Sequence, residues 1–149
     1  MQKLVIDSSV IIKWLNHVDE QLVDKAEEIL QDVQSGKVKL LAPELAKYEV
    51  CNSLLIKKKL SPAQMKEALE AFYMLPIQFF DDSLQLAEFA YFTGDNIHIT
   101  YYDAAFLALA QLENASLVTD NVKHHGKTKE IHVIPLKEYS FDKLKLLNI

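Results

Sequence analysis

Residues 100–113 read "TYYDAAFLALAQLE", and this stretch indicates the fold class of the chain. From Ala104 to Ala110 every residue is apolar, so a helix here would be apolar on all sides and is expected to be buried. Asp103 stands at its beginning, where a carboxylate accepts hydrogen bonds from backbone N–H groups and suits the positive end of the helix dipole. A carboxylate near the interior usually needs a further partner beyond the helix end. Acidic residues in other segments suggest what that partner is.

Short apolar runs rich in β-branched residues recur along the chain and predict five strands. They lie at residues 3–6, 38–42, 76–80, 116–119 and 131–135. Helical patterns separate them, at residues 8–16, 20–35, 43–59, 62–75, 83–93 and 102–114. Apolar strands that alternate with helices are typical of a mostly parallel sheet covered by helices on both faces, so we expect an α/β fold.

Residues at the predicted helix boundaries support this assignment. Gly36 and Gly94 stand where helix C-termini often need a positive φ, and Pro43 suits a first helical position. The segment "SPAQ" at residues 61–64 predicts a capping box with proline in the first helical position.

The composition is that of an ordinary globular domain. Of 149 residues, 50% are hydrophobic and 25% charged, which predicts a single domain over residues 1–149. Cys51 is the only cysteine, and the N-terminus runs directly into strand-like residues, so we expect a cytoplasmic protein without a disulfide. The apolar runs are too short to span a bilayer, so no membrane association is expected. The net charge of -5 means that a polyanion would need a local basic patch or a metal ion to bind.

Acidic residues directly follow two of the predicted strands. Asp7 follows the first strand, and Asp120 follows the strand at 116–119. In open α/β sheets the ligand crevice lies outside the carboxyl ends of the strands. If these two strands are neighbours, as we expect, both acids project into one crevice. The helix of Asp103 leads into the Asp120 strand and must run antiparallel to it, so its N-terminus lies at the same edge.

Glu49 is the fourth acid, and helical geometry directs its carboxylate inward. Lys47 and Lys58 project from the opposite side of the predicted helix. The face that Glu49 occupies is shared with Leu45, Ala46, Asn52, Ser53 and Ile56. The alternative is a surface glutamate, or one that is hydrogen-bonded by Asn52 or a backbone group.

Four carboxylates at one edge of a sheet repel one another unless a cation offsets their charge. Hard oxygen ligands suit Mg²⁺ or Mn²⁺, which commonly link a few carboxylates to phosphate oxygens. Such an ion can lower the pKa of a bound water and neutralise the charge of a leaving oxygen. This chemistry is phosphodiester hydrolysis, and it would also bring a polyanion into an acidic crevice.

Four segments resemble, in order and separation, the acidic motifs of the PIN-domain family. They are "VIDSSVIIKW" (5–14), "LAPELAKYEVCNSL" (41–54), "YYDAAFLALA" (101–110) and "LVTDN" (117–121). Within that family the chain is most similar to the small toxins of the VapC group. The resemblance implies a ribonuclease that uses Mg²⁺ or Mn²⁺, usually a homodimer, which a cognate antitoxin holds inactive as part of a type II toxin-antitoxin pair. It also implies that Asp7, Glu49 and Asp103 are metal ligands.

The fourth motif departs from the family pattern of Thr, any residue, then Asp or Asn. That pattern maps onto Thr119, Asp120 and Asn121 and puts Asn121 in the ligand position. Asp120 could supply the charge instead if the strand ends one residue early, so both residues stay candidates and the number of metal ions stays open. The resemblance also implies that Ser8 and Thr119 orient ligands or waters beside the acids. Ser8 suits a helix N-cap as well.

Two basic segments lie near these acids in the sequence. The helix dipole alone accounts for the lysine run at residues 57–59. The segment "NVKHHGKTKE" (121–130) follows the predicted site, and its Lys123 and Lys127 are candidates for contacting RNA phosphates. A solvated loop explains them equally well.

Two other functions fit a domain of this class. A PIN-like domain could bind RNA or a protein without cleaving it, but such a domain would not need acids at three family positions. A phospho-acceptor receiver domain needs an acidic pair near the first strand end and a lysine after a late strand. The chain has the single acid Asp7 there, and the nearest late lysine, Lys137, lies beyond Pro135.

Overall fold

A computed structural model of the chain describes residues 1–125 and 128–147. Its strands are β1 (Gln2–Ile6), β2 (Val38–Pro43), β3 (Ile77–Phe80), β4 (Ser116–Thr119) and β5 (Val133–Pro135). They form one parallel sheet in the order β3-β2-β1-β4-β5. The predicted five-stranded parallel sheet of an α/β fold is therefore confirmed, and so is the pairing of the Asp7 strand with the Asp120 strand.

Helices connect the strands and follow the last of them. They are α1 (Ser8–Leu15), α2 (Val23–Gln34), α3 (Leu45–Ile56), α4 (Pro62–Met74), α5 (Leu84–Ile97), α6 (Tyr101–Leu112), α7 (Val122–His125) and α8 (Phe141–Leu147), with a 3-10 turn at Leu136–Glu138. Within the described residues, none of these helices has both the length and the apolar character that a membrane span requires.

The helices cover both faces of the sheet. From β1 to β3 the chain moves in one direction across the sheet, and right-handed crossovers then place α1 to α4 on one face and α5 and α6 on the other. Packing agrees, since α2 contacts β2 and α1 contacts β4, whereas α6 lies against β1, β2 and β4. Residues Ala104 to Ala110 of α6 are all buried, as their uniformly apolar character predicted. The strand order reverses between β1 and β4, and the ligand crevice of such a sheet is expected at that point.

The strand order also excludes the receiver alternative. Receiver-type domains have the order 2-1-3-4-5, whereas the order here is 3-2-1-4-5. In the receiver order β1 lies between β2 and β3, whereas here it lies between β2 and β4.

Two of the predicted helix boundaries are confirmed. Gly36 has a φ of +69° after α2, and Ser61 forms the predicted capping box with Gln64 at the start of α4. The prediction for Pro43 is wrong: it is the last residue of β2, where it pairs with Phe80. Pairing with β3 keeps the chain extended at this proline, so α3 begins later.

The prediction for Gly94 is also wrong. Helix α5 continues through it to Ile97, and His98 takes the left-handed conformation with a φ of 57°. A Cβ atom on Gly94 would lie 3.2 Å from the backbone oxygen of Ile99 and 3.5 Å from Cβ of Ala104. Glycine thus suits a tight contact with the segment that links α5 to α6, and it does not supply a positive φ.

Candidate active site

The carboxyl ends of β1 and β4 open into a cavity of about 300 Å³. Its lining contains the predicted residues Asp7, Ser8, Glu49, Asp103, Asp120 and Asn121. It also contains Ser9, Glu20, Lys57 and Lys58, which the sequence did not single out for the site. A larger cavity of about 720 Å³ lies beside α5, away from these strand ends, so size alone does not identify the site. Convergence of the four predicted acids identifies it instead.

Asp7 is fixed by hydrogen bonds where β1 passes into α1. It is only 6% exposed, and it forms the N-cap of α1 in place of Ser8. Its Oδ2 accepts bonds from the backbone N of Ser9 at 3.3 Å, from the Ser9 hydroxyl at 2.5 Å and from the hydroxyl of Thr119 at 3.0 Å. Donors of this kind form strong bonds to an ionised carboxylate and hold it in one orientation.

The segment after β4 is tied to the same group. Thr119 is fully buried, and its hydroxyl accepts a bond from the backbone N of Asn121 at 2.9 Å while donating to Asp7. The backbone N of Asp120 donates to the Ser9 hydroxyl at 3.0 Å. The ends of β1 and β4 are therefore joined by side chains as well as by strand pairing.

Glu49 reaches the cavity from α3. Its side chain is half-buried, and its Oε1 accepts a bond from the Ser8 hydroxyl at 2.8 Å. The inward direction predicted from helical geometry is thus observed. Ser8 is the first residue of α1 rather than its N-cap, so its hydroxyl is used for Glu49 and the predicted N-cap role of Ser8 is wrong.

Asp103 lies in the first turn of α6 and lines the same cavity. The N-cap of this helix is Thr100, whose hydroxyl accepts a bond from the backbone N of Asp103 at 3.1 Å. Thr100 is therefore the N-cap, and Asp103 adds a carboxylate in the first turn, where the helix dipole favours negative charge.

A buried lysine that the sequence analysis did not identify lies beside Asp120. The Lys13 side chain is 3% exposed, and its Nζ lies 2.9 Å from Oδ2 of Asp120 and 3.1 Å from Oε1 of Glu20. The one signal in the sequence was a charged residue inside the otherwise apolar α1. Two of its partners lie in the loop after α1 and the third, Asp120, follows β4, and the helical pattern does not show either.

Lys58 completes this group of charges. Its Nζ lies 2.7 Å from Oε2 of Glu20, and its side chain is 8% exposed. Burial opposes ionisation of Glu20, but the hydrogen bonds and charges of Lys58 and Lys13 outweigh it, and the pKa of Glu20 is lowered. The prediction that Lys58 points away from Glu49 is wrong because α3 ends at Ile56, so the residues that follow leave the helical phase.

The predicted RNA contacts after β4 are only partly described. Lys123 is exposed in α7, directly beyond Asn121. Lys127 lies outside the described residues.

The site provides oxygen donors, which suit Mg²⁺ or Mn²⁺. Among residues 1–125 and 128–147, no three His, Cys, Asp or Glu side chains stand close enough together to hold an ion by themselves. Mg²⁺ commonly keeps several waters and contacts only one or two carboxylates together with substrate phosphates. The carboxylates around this cavity fit that mode of binding better than a fully ligated protein site.

Comparison with solved structures shows the same fold in several proteins. VapBC2 from Rickettsia felis, bound to a DNA fragment from its promoter, has a TM-score of 0.71 at 15% identity over 90% of this chain and 98% of that chain. FitAcB from Neisseria gonorrhoeae has a TM-score of 0.65 at 14% identity, covering 91% and 99%. VapC20 from Mycobacterium tuberculosis, described as a toxin that cleaves the sarcin-ricin loop, has a TM-score of 0.62 at 13% identity, covering 87% and 98%.

Sequence comparison assigns the family. No curated protein matches the chain. The family model of the PIN domain matches residues 4–129, a range that includes every acid of the site. The chain therefore belongs to the PIN domain family.

Proposed function

We propose that this PIN domain is a metal-dependent endoribonuclease that hydrolyses RNA phosphodiester bonds as the toxin of a type II toxin-antitoxin pair. The observation that carries the proposal is the convergence of Asp7, Glu49 and Asp103 on one cavity where the strand order reverses. A structural neighbour from Mycobacterium tuberculosis is described as a toxin that cleaves the sarcin-ricin loop, which supports a nuclease function here.

The divalent ion, Mg²⁺ or Mn²⁺, would be held among Asp7, Glu49 and Asp103, by one or two of these carboxylates directly and by the rest through its waters, with Asp120 or Asn121 as the fourth site residue. When bound, such an ion lowers the pKa of an attacking water and neutralises charge on the phosphate and the leaving oxygen. The protein keeps the carboxylates in place for this task. Ser9 and Thr119 hold the Asp7 carboxylate, and Ser8 holds that of Glu49.

Cationic side chains at the cavity offset the acidic character of the chain. Lys57 is exposed and lines the cavity. Lys123 is exposed two residues beyond Asn121, which lines the cavity. Lys127 follows it in sequence. We assign these lysines to contacts with RNA phosphates, because a chain of net charge -5 needs local positive charge to retain a polyanion.

The proposal includes two protein partners. Structural neighbours from Klebsiella pneumoniae and Haemophilus influenzae are a toxin-antitoxin complex and a VapBC pair, which supports a cognate antitoxin for this chain. A second copy of the chain would form a homodimer. Large exposed apolar side chains are available for such contacts, including Leu55 on α3 and Tyr91 and Phe92 on α5.

The test is cleavage of single-stranded RNA by the purified chain, free of any antitoxin, with Mg²⁺ or Mn²⁺. We expect the wild type to cleave, EDTA to stop the reaction, and Asp103→Asn to lose at least 100-fold in rate. Asp142→Asn is the matched control, because its side chain is 92% exposed in α8 and remote from the cavity. If the wild type cleaves no RNA with either ion, a non-catalytic binding domain replaces the nuclease. If Asp103→Asn cleaves as the wild type does, the cleavage does not depend on this site and the proposed site is wrong.

A further inference from the structure

Lys13 is a buried ammonium group at the margin of the candidate active site. It lies in the last turn of α1, and the residue as a whole is 2% exposed. Burial of a charged amine is unfavourable unless the amine is paired and hydrogen-bonded. An ammonium at this depth beside a catalytic cavity therefore requires an explanation from its partners.

Three acceptors surround the ammonium of Lys13. They are Oδ2 of Asp120 at 2.9 Å, Oε1 of Glu20 at 3.1 Å and the backbone oxygen of Gln21 at 2.7 Å. Glu20 and Gln21 accept hydrogen bonds from the ammonium, and Asp120 forms an ion pair with it. Two of these acceptors are ionisable, and Asp120 stands at the end of β4 among the proposed site residues.

Glu20 also pairs with a second lysine that lines the cavity. Its second oxygen, Oε2, lies 2.7 Å from Nζ of Lys58, which also donates to the backbone oxygen of Val18. Lys58 therefore has its own partners, and Glu20 keeps a cation even without Lys13. Asp120, by contrast, forms its ion pair with Lys13.

We propose that Lys13 is a positioning residue whose ammonium neutralises Asp120 in place of a second metal ion, so that each chain binds one divalent ion. The inference rests on the proposed function and deepens it. A divalent ion on the Asp120 carboxylate would stand within a few ångströms of the Lys13 ammonium and be repelled by it. The single ion is then held among Asp7, Glu49 and Asp103, partly through its waters, and Asn121 is the fourth site residue. At 3% exposure, the Lys13 side chain acts through Asp120 and not on RNA directly.

The number of bound ions separates this role from a purely structural one. If the Lys13–Asp120 ion pair only joined α1 to the end of β4, its removal would change the stability of the fold but not the number of ions that the site binds. Neutralisation of Asp120 by Lys13 predicts that removing the ammonium frees a carboxylate for a second ion.

The experiment counts Mn²⁺ bound per chain by electron paramagnetic resonance of the free ion, on variants checked for folding by circular dichroism. We expect one Mn²⁺ for the wild type and for Lys13→Arg, which keeps a cation beside Asp120. Lys13→Met is expected to bind a second Mn²⁺, at least tenfold more weakly than the first. Lys37→Met is the control, because Lys37 forms an ion pair with Asp32 away from the cavity, and it should bind one Mn²⁺.

Two Mn²⁺ per wild-type chain, or one Mn²⁺ of unchanged affinity in Lys13→Met, would overturn the inference. If Lys13→Met does not fold, Lys13→Gln decides, because it keeps a polar side chain without the charge: it should bind a second Mn²⁺, and a single Mn²⁺ of unchanged affinity would overturn the inference. If the wild-type chain cleaves RNA but the Mn²⁺ counts overturn the inference, the proposed nuclease function is retained and only the role of Lys13 is rejected. Wild-type chain that binds no Mn²⁺ overturns both.

Discussion

Replacing Thr119 by valine tests whether the hydroxyl of this residue holds the Asp7 carboxylate. Thr119 is fully buried at the end of β4, and its Oγ1 donates to Oδ2 of Asp7 at 3.0 Å. Valine has nearly the same shape and keeps the β-branched side chain that favours a strand. The substitution therefore removes a hydrogen bond to a charged acceptor with little change in packing.

The expected loss of stability follows from the two groups that are hydrogen-bonded to Oγ1 of Thr119. A hydrogen bond to a charged group contributes about 1.5–3 kcal/mol to the free energy of unfolding. The backbone N of Asn121 loses its bond to Oγ1 as well, but Asn121 is exposed, so water replaces that acceptor. For a chain of this size, 1 kcal/mol shifts Tm by roughly 2–4 °C, so Thr119→Val should lower Tm by roughly 3–12 °C.

The assay is urea unfolding in EDTA, so that bound metal does not contribute to stability. Thr119→Ser is the matched control, because it keeps the hydroxyl and removes one buried methyl group worth about 0.8 kcal/mol. We expect the serine variant to be clearly more stable than the valine variant. A valine variant within about 0.5 kcal/mol of the wild type, which is the ordinary scale of harmless substitutions, would refute the role of the hydroxyl.

Three further predictions concern stability. Tyr139 is fully buried, and its hydroxyl donates to Oδ2 of Asp32 at 2.9 Å. Tyr139→Phe should therefore lower the free energy of unfolding in urea by about 1.5–3 kcal/mol. An unchanged urea midpoint of unfolding would contradict this prediction. The lowered pKa of Glu20 means that its contribution to stability is complete above its unfolded-state pKa and is lost as pH falls through its folded-state pKa. Thermal unfolding between about pH 6 and pH 3 should therefore show a steeper acid loss for the wild type than for Glu20→Gln, and parallel profiles would argue against the ion pairs. Gly36 has a φ of +69°, and no atom lies within 4 Å of the position that a Cβ would take. Gly36→Ala should therefore lower the free energy of unfolding in urea by about 1–2 kcal/mol through backbone strain alone. A variant more stable than the wild type would contradict that cause.

The strands could be predicted from the sequence because their signal is local. The run at 116–119 matches β4 residue for residue, since its buried apolar side chains and the turn before it are both visible in the sequence. Boundaries that depend on tertiary contacts could not be predicted. Pro43 stays in a strand because it pairs with Phe80, and Gly94 stays in a helix because α6 packs against it.

The acids of the candidate site could also be predicted, because they stand at the carboxyl ends of parallel strands or at the N-terminus of a helix that returns to them. The charges that surround those acids were missed. The partners of Lys13 are Glu20, Gln21 and Asp120, two from a loop and one from another strand end. A helical projection of α1 shows only that Lys13 lies among apolar residues, and it cannot show which acceptors the fold brings to it.

The most direct test of the central claim is Mn²⁺ binding measured by titration calorimetry on the wild type, Asp7→Asn and Asp103→Asn. The account predicts that the wild type binds and that each folded variant loses at least tenfold in affinity, while the exposed control Asp142→Asn binds as the wild type does. If both site variants bind Mn²⁺ with wild-type affinity, these carboxylates are not metal ligands and the proposed nuclease site is contradicted.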